Sequence, residues 1–267
     1  MEEVPTMHVR PSVKEACEEQ SVAVLYQDTE VAETYVQKRF AVSWSRLLHD
    51  MQVREINRVI QQHQPELVVE VAPGPARLTT EVRGVRRGIL VEYSQEMLAQ
   101  AQKRLQACGL ADCWEIRHGN AFHLEEQRLQ CDFLYTFRFI RHFFAEDRAR
   151  LYRSLRMCLR PHGLLMFDVV NKTVRERLDA KQDSRPNGQL NVYDVTYLPE
   201  EFCREIQQHG FLLRSLCPVL RHFGLQSWIS YRLDHRLGIW ADRLVRLLER
   251  LPSSQPLEWI ALCQKVE

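Results

Sequence analysis

The pattern of apolar and polar positions changes character at Pro65. Before it, over residues 28–63, apolar side chains recur at helical spacing: Val31, Tyr35, Val36 and Phe40, then Trp44, Leu47, Leu48, Met51, Ile56, Val59 and Ile60. This predicts helices that precede the main core, while residues 1–20 read as irregular. After Pro65, short valine- and leucine-rich runs alternate with helical stretches. Strands are expected at 67–71, 88–92, 114–118, 131–136, 164–170, 212–219 and 259–264, with helices around 76–82, 95–108, 145–158 and 199–210. Continuous apolar runs of this length, bounded by Gly and Pro, are how strands buried on both faces appear. Five strands mostly followed by helices, then two late strands, predict a doubly wound α/β sheet with crossover connections.

Two segments fall outside that alternation. Residues 171–197 are polar and read as irregular; residues 224–256 are inserted between the last two strands and end in an amphipathic run, 241–251. Both are candidate lids or substrate walls, which divides the chain into an N-terminal extension and helical cover (1–64) and a main domain (65–267). In the run, Leu244, Val245, Leu247, Leu248 and Leu251 form an apolar stripe beside Arg243, Arg246 and Arg250. Packing over the site and contact with a membrane surface are both open to such a stripe.

Composition narrows the class. With 267 residues, 45% of them apolar and 27% charged, the chain suits one large globular domain rather than a disordered tail. Its net charge of +1 supplies no global field for duplex DNA. The eight cysteines are scattered without a CxxC pair, which favours a reducing compartment and removes support for structural zinc; no metal is expected. No apolar stretch approaches the roughly 18 residues of a membrane span. The first ten residues carry Glu2 and Glu3 without an apolar run, so a cytoplasmic location is expected.

In open α/β sheets ligands bind beyond the carboxyl ends of the strands. The first expected strand ends in Glu70-Val71-Ala72-Pro73-Gly74-Pro75-Ala76-Arg77, whose small residues allow the backbone to approach a ligand, or simply to turn tightly. The second ends in Glu92, 22 residues after Glu70, a carboxylate able to accept from both hydroxyls of a ribose, with Tyr93 and Met97 as apolar area beside it. After the third, Asn120 could read the amino edge of an adenine between Ala121 and Phe122. The fourth runs through Tyr135 into Arg138, Arg141 and His142, which brings large polar side chains toward the expected reaction centre. For a general base the order of inspection is His142, Tyr193, Asp194, His123 and His222. Arg138, Arg141 and Arg221 are candidates for binding a carboxylate or phosphate.

Taken in order, residues 70–77, 89–98, 117–122, 131–135 and 159–167 resemble the motifs of class I S-adenosylmethionine-dependent methyltransferases, a match that covers about 65–170 well. The resemblance implies a Rossmann-like, doubly wound seven-stranded sheet with an antiparallel final strand. It also implies S-adenosylmethionine as cofactor and methyl transfer to an O, N or C nucleophile of a small molecule. Carried onto this chain, it makes Glu70 the acid that opens the glycine-rich motif and Ala72, Gly74 and Ala76 its three small positions, with Pro73 among them. Glu92 becomes the ribose-binding acid, Asn120 the group near adenine, and Tyr93, Met97, Ala121 and Phe122 the adenosine pocket, with Tyr135 a further cofactor-binding residue. Two customary glycines are alanine here, and Asn120 lacks charge. Residues 35–39 resemble the helical cover of small-molecule members, which makes Tyr35 and Arg39 substrate contacts beside Arg138, His142 and Arg221; His142, Tyr193 and Asp194 are the catalytic candidates. The implied acceptor could be apolar or lipid-like, and a homodimer fits. Two other readings remain: a cofactor-binding regulatory protein without turnover, motivated by Ala72 and Ala76, and a protein or RNA methyltransferase. An NAD-dependent oxidoreductase is disfavoured because Ala-Pro-Gly-Pro-Ala lacks the pyrophosphate-binding spacing.

Overall fold

A computed structural model describes residues 40–182 and 194–267. Tyr35, Arg39 and Tyr193 lie outside the described residues. Helix α1 (Ser43–His63) turns Leu47, Leu48, Met51, Ile56, Val59 and Ile60 toward the core and ends at Gln64, in the left-handed conformation just before Pro65. There follow β1 (Val68–Val71), β2 (Gly88–Glu92), α2 (Gln95–Ala107), β3 (Trp114–His118), β4 (Cys131–Thr136), α3 (Ala145–Cys158), β5 (Leu159–Asn171), α4 (Lys172–Gln182), β6 (Thr196–Tyr197), α5 (Pro199–Gln208), β7 (Phe211–Val219), α6 (Phe223–Leu237), α7 (Ile239–Arg250) and β8 (Glu258–Lys265).

The strands form one sheet in the order β3-β2-β1-β4-β5-β8-β7, parallel except for β8, which runs antiparallel to both β5 and β7. This is the expected doubly wound sheet with its antiparallel final strand. The two-residue β6 is an addition, paired with Val170 and Asn171 beyond the end of β4. Alternation along each strand divides the core between the two faces. Val68, Leu90, Phe133 and Met166 pack on one side with α1, α2, α6 and α7. Val69, Ile89, Leu134 and Phe167 pack on the other with α3 and α5. Gly88 permits the closest of these contacts, since a Cβ there would fall 2.3 Å from the Trp114 ring.

Two local expectations need correction, and a third, left open by the sequence, concerns α7. The helix at 76–82 is only a 3-10 turn, Thr79–Glu81; left-handed residues at 72, 74 and 76 consume the preceding segment as a turn. Residues 172–182, expected to be irregular, form α4, whose Val174 and Leu178 pack against the core. In α7 the apolar stripe does not face inward as a unit: Val245 is buried and Leu248 half-buried, but Leu244, Leu247 and Leu251 are exposed. No helix among the described residues is long and apolar enough to cross a membrane.

Candidate active site

The carboxyl ends of β1 and β2 meet through Glu92. Its carboxylate accepts hydrogen bonds from the backbone N–H groups of Gly74 (2.9 Å), Tyr93 (2.8 Å) and Ser94 (2.9 Å), so the turn after β1 is fastened to the end of β2. Burial pushes the Glu92 carboxyl above its ordinary range, opposed by these three donors. Ala72, Gly74 and Ala76 all adopt positive φ, at 52°, 58° and 56°. Glycine tolerates this region, whereas alanine is strained there.

Glu70 lies within β1, two residues before Ala72, and is buried. Its Oε2 accepts from Thr79 Oγ1 (2.5 Å) and Tyr135 Oη (2.8 Å), and burial raises its pKa to about 7 against those bonds and the nearby Arg77. Tyr135 is fully enclosed in the core, so its observed role is to hold Glu70. Met97, Ala121 and Phe122 are buried, Ala76 is completely so, and Pro73 is buried between the half-buried Ala72 and Gly74. Tyr93 remains exposed and stacks on His118, ring centroids 5.8 Å apart. Asn120 caps the 3-10 helix Ala121–Gln127, its side-chain oxygen accepting from Phe122 N at 2.9 Å.

A second cluster occupies the ends of β4, β5 and β8. Arg141 donates to Asp168 (2.8 Å), Glu258 (2.8 Å) and Asp194 (3.0 Å), and all four side chains are largely withdrawn from solvent. His142 Nδ1 lies 3.0 Å from Asp194 Oδ1. Burial works against the charge on Asp194, but the hydrogen bond from His142 and the Arg141 guanidinium outweigh it and hold its carboxyl below the usual range. Burial pushes Glu258 up, Arg141 pulls it down, and Asp168 adds to the rise. The other Glu258 oxygen, Oε2, has no hydrogen-bond partner among the described residues.

The structure therefore brings together Ala72, Gly74, Glu92 and Tyr93 in one bed, and His142 with Asp194 in a dyad. Arg141, a candidate for substrate binding, is instead saturated by three carboxylates of the chain itself. Arg138 is half-buried at φ 59°; its backbone N–H donates to Asp168, and its side chain has no partner among the described residues. Arg221 follows β7, its N–H bonded to Glu249. His123 is exposed, and His222 contacts the Leu251 carbonyl, so neither joins the dyad. Asp168 and Glu258 escaped the sequence reading. Asp168 was accessible to inspection of the fifth strand end. Glu258 was missed because only the carboxyl ends of strands were considered, whereas an antiparallel last strand brings its first residues to this edge.

Residues 68–163 match the family model described as a methyltransferase domain. No curated protein matches the chain by sequence. Among solved structures, magnesium protoporphyrin IX methyltransferase from Synechocystis PCC 6803, with bound SAH, is similar at TM-score 0.63 and 10% identity, over 93% of this chain and 100% of that one. An O-methyltransferase family protein from Burkholderia thailandensis gives 0.60 and 12% identity, over 94% and 64%. Mitomycin 7-O-methyltransferase gives 0.51 and 15%, over 81% of this chain and 54% of that chain. At such identities these likenesses concern the fold, and the chain spans little more than half of the last structure.

Proposed function

On the methyltransferase-domain match at residues 68–163 and the methyltransferase fold, we propose that the chain is a class I S-adenosylmethionine-dependent methyltransferase that methylates a hydroxyl oxygen of a small molecule, with His142 as general base. The observation that carries this reading is the 3.0 Å contact between His142 Nδ1 and Asp194 at the end of β4. A hydroxyl is a weak nucleophile until its proton leaves, and an imidazole oriented by a carboxylate at Nδ1 is a suitable group to take that proton.

The residues present fit the cofactor. Bound S-adenosylmethionine supplies an electrophilic methyl group on a sulfonium. Glu92 would hold its ribose: the three backbone donors fill three of roughly four acceptor positions on the carboxylate, so one hydroxyl is accommodated directly. A second is accommodated if the Gly74 N–H yields its place. Tyr93 and Met97 offer apolar area alongside, and the donor side of the Asn120 amide would face the adenine edge. Arg138 would orient an anionic group of the acceptor, and Arg141 fixes Asp168, Asp194 and Glu258 so that Asp194 stays aligned with His142. Among the described residues, 171–182, 194–197 and 224–256 would contribute the acceptor wall and exclude water.

Titration calorimetry with S-adenosylmethionine and S-adenosylhomocysteine, with NAD as control, is expected to give a dissociation constant on the order of 10 µM for the sulfur ligands alone. Glu92→Ala should weaken it roughly 10- to 100-fold, the loss of a hydrogen bond to a charged group. With phenols and hydroxy acids as acceptors, His142→Ala is expected to lower kcat by about 10²- to 10⁴-fold. Its S-adenosylhomocysteine affinity should stay unchanged. Binding of NAD in place of the sulfur ligands would overturn the cofactor assignment; an unaltered kcat in His142→Ala would overturn the base.

A further inference from the structure

The helical hairpin α6–α7 exposes an unusual combination of side chains. At its tip, Ile239 and Trp240 are 65% and 61% exposed, and Tyr231 (62%), Trp228, Leu244 and Leu247 are exposed on the two arms. Single exposed apolar residues are ordinary on a protein surface, but large side chains gathered on one convex element mark an interaction site. The charges on the same hairpin are sorted by sign. Each of its carboxylates is turned inward and bonded: Asp234 accepts from Ser43 N (2.8 Å) and Oγ (2.6 Å), Asp242 pairs with Arg246 (2.6 Å), and Glu249 accepts from Arg221 N (2.9 Å) and Gln226 (2.8 Å). Arg246 is further neutralised by Asp50 of α1. The exposed arginines, Arg232, Arg236, Arg243 and Arg250, have no carboxylate within ion-pair distance among the described residues. Arg243 lies over the Trp240 ring, its guanidinium carbon 4.7 Å from the centroid.

We propose that this hairpin docks the protein on an anionic phospholipid surface, the tip residues Ile239 and Trp240 entering the headgroup region while the surrounding arginines pair with lipid phosphates. A tip of Ile239 and Trp240, flanked by Arg232, Arg236 and Arg243 without carboxylate partners and with every hairpin carboxylate withdrawn, complements a negatively charged interface between water and hydrocarbon. The aromatic rings prefer that depth, and arginine stems lie along it with their heads in the polar layer. The hairpin is rooted between the end of β7 and the start of β8, the edge that carries Arg138, His142 and Glu258, so docking would hold the acceptor side of the site within a helix length of the lipid. Lipid docking of this kind is independent of the acceptor's identity.

Co-sedimentation of the full chain with phosphatidylserine/phosphatidylcholine vesicles, and with phosphatidylcholine vesicles alone, tests it without cofactor or acceptor. Binding is expected to the mixed vesicles, to weaken as salt is raised, and to be much weaker on phosphatidylcholine. Ile239→Ser/Trp240→Ser should abolish it. Arg232→Gln/Arg236→Gln should reduce it roughly 25-fold, about fivefold per arginine. All four positions are exposed, and an unchanged melting temperature and cofactor affinity in the variants verify that the fold persists. Absence of wild-type binding overturns the proposal, as does binding that survives the tip substitutions or is equal on both vesicles. If the wild type ignores lipid but sediments as a dimer that the tip substitutions dissociate, the hairpin is instead an interface between two copies of the chain.

Discussion

Glu70 shows how burial at one residue becomes a property of the whole chain. Its carboxyl titrates near pH 7 in the fold, from a starting value of 4.5, because desolvation outweighs the bonds from Thr79 and Tyr135. A group whose pKa is raised on folding contributes stability below its unfolded pKa, and that contribution is lost as pH rises through the folded value. The protein should therefore lose on the order of 3 kcal/mol from this group between about pH 4.5 and pH 7.5. A glutamine side chain at this position would accept the same two bonds through its single amide oxygen, since both now fall on Oε2. Thermal unfolding of Glu70→Gln across that range is expected to show a flatter pH profile and higher stability at pH 8; an unchanged profile would contradict the assignment. Ala72 makes a second case. Left-handed alanine costs about 1 kcal/mol, roughly what glycine loses in chain entropy on folding. Ala72→Gly should accordingly leave the melting temperature unchanged or higher. A loss above about 1 kcal/mol, the ordinary Ala-to-Gly penalty in a helix, would argue against φ of +52° there.

Between elements, the decisive contact is Arg141. It gathers Asp168 from β5, Glu258 from β8 and Asp194 from the segment before β6, and its carbonyl accepts from Val195 N at 2.7 Å. Removing one partner of a buried ion cluster leaves the others uncompensated, at about 3–5 kcal/mol. Arg141→Ala should destabilise by that amount in urea unfolding and cost His142 its oriented partner; an effect under about 1 kcal/mol would show that the carboxylates are solvated instead. Sequence periodicity located these elements well: β2, β3, β4 and α3 occupy the residues expected for them. It failed at two places. The turn at 72–76 erased an expected helix. The low apolar content of 172–182 concealed α4, whose packing relies on only Val174 and Leu178.

At the scale of the molecule, the chain's own residues determined a good deal. Alternating short apolar runs and helical stretches specify a doubly wound sheet, because strand and helix periodicities are local properties of consecutive side chains. Small residues after β1 and an acid at the end of β2, the bed proposed for the nucleoside, are legible for the same reason, since both sit at fixed distances along the chain from a strand end. Tertiary structure alone decided the rest. The reversed β8 carries Glu258 to Arg141 across 117 positions; the resemblance implied the strand's direction, but only packing sets which side chains meet there. Which side of α7 faces water depended likewise on packing against α1 and α6, which buries Val245 and leaves Leu244, Leu247 and Leu251 outside. A sequence records which side chains share a helical face, but only the neighbouring elements determine which face is covered.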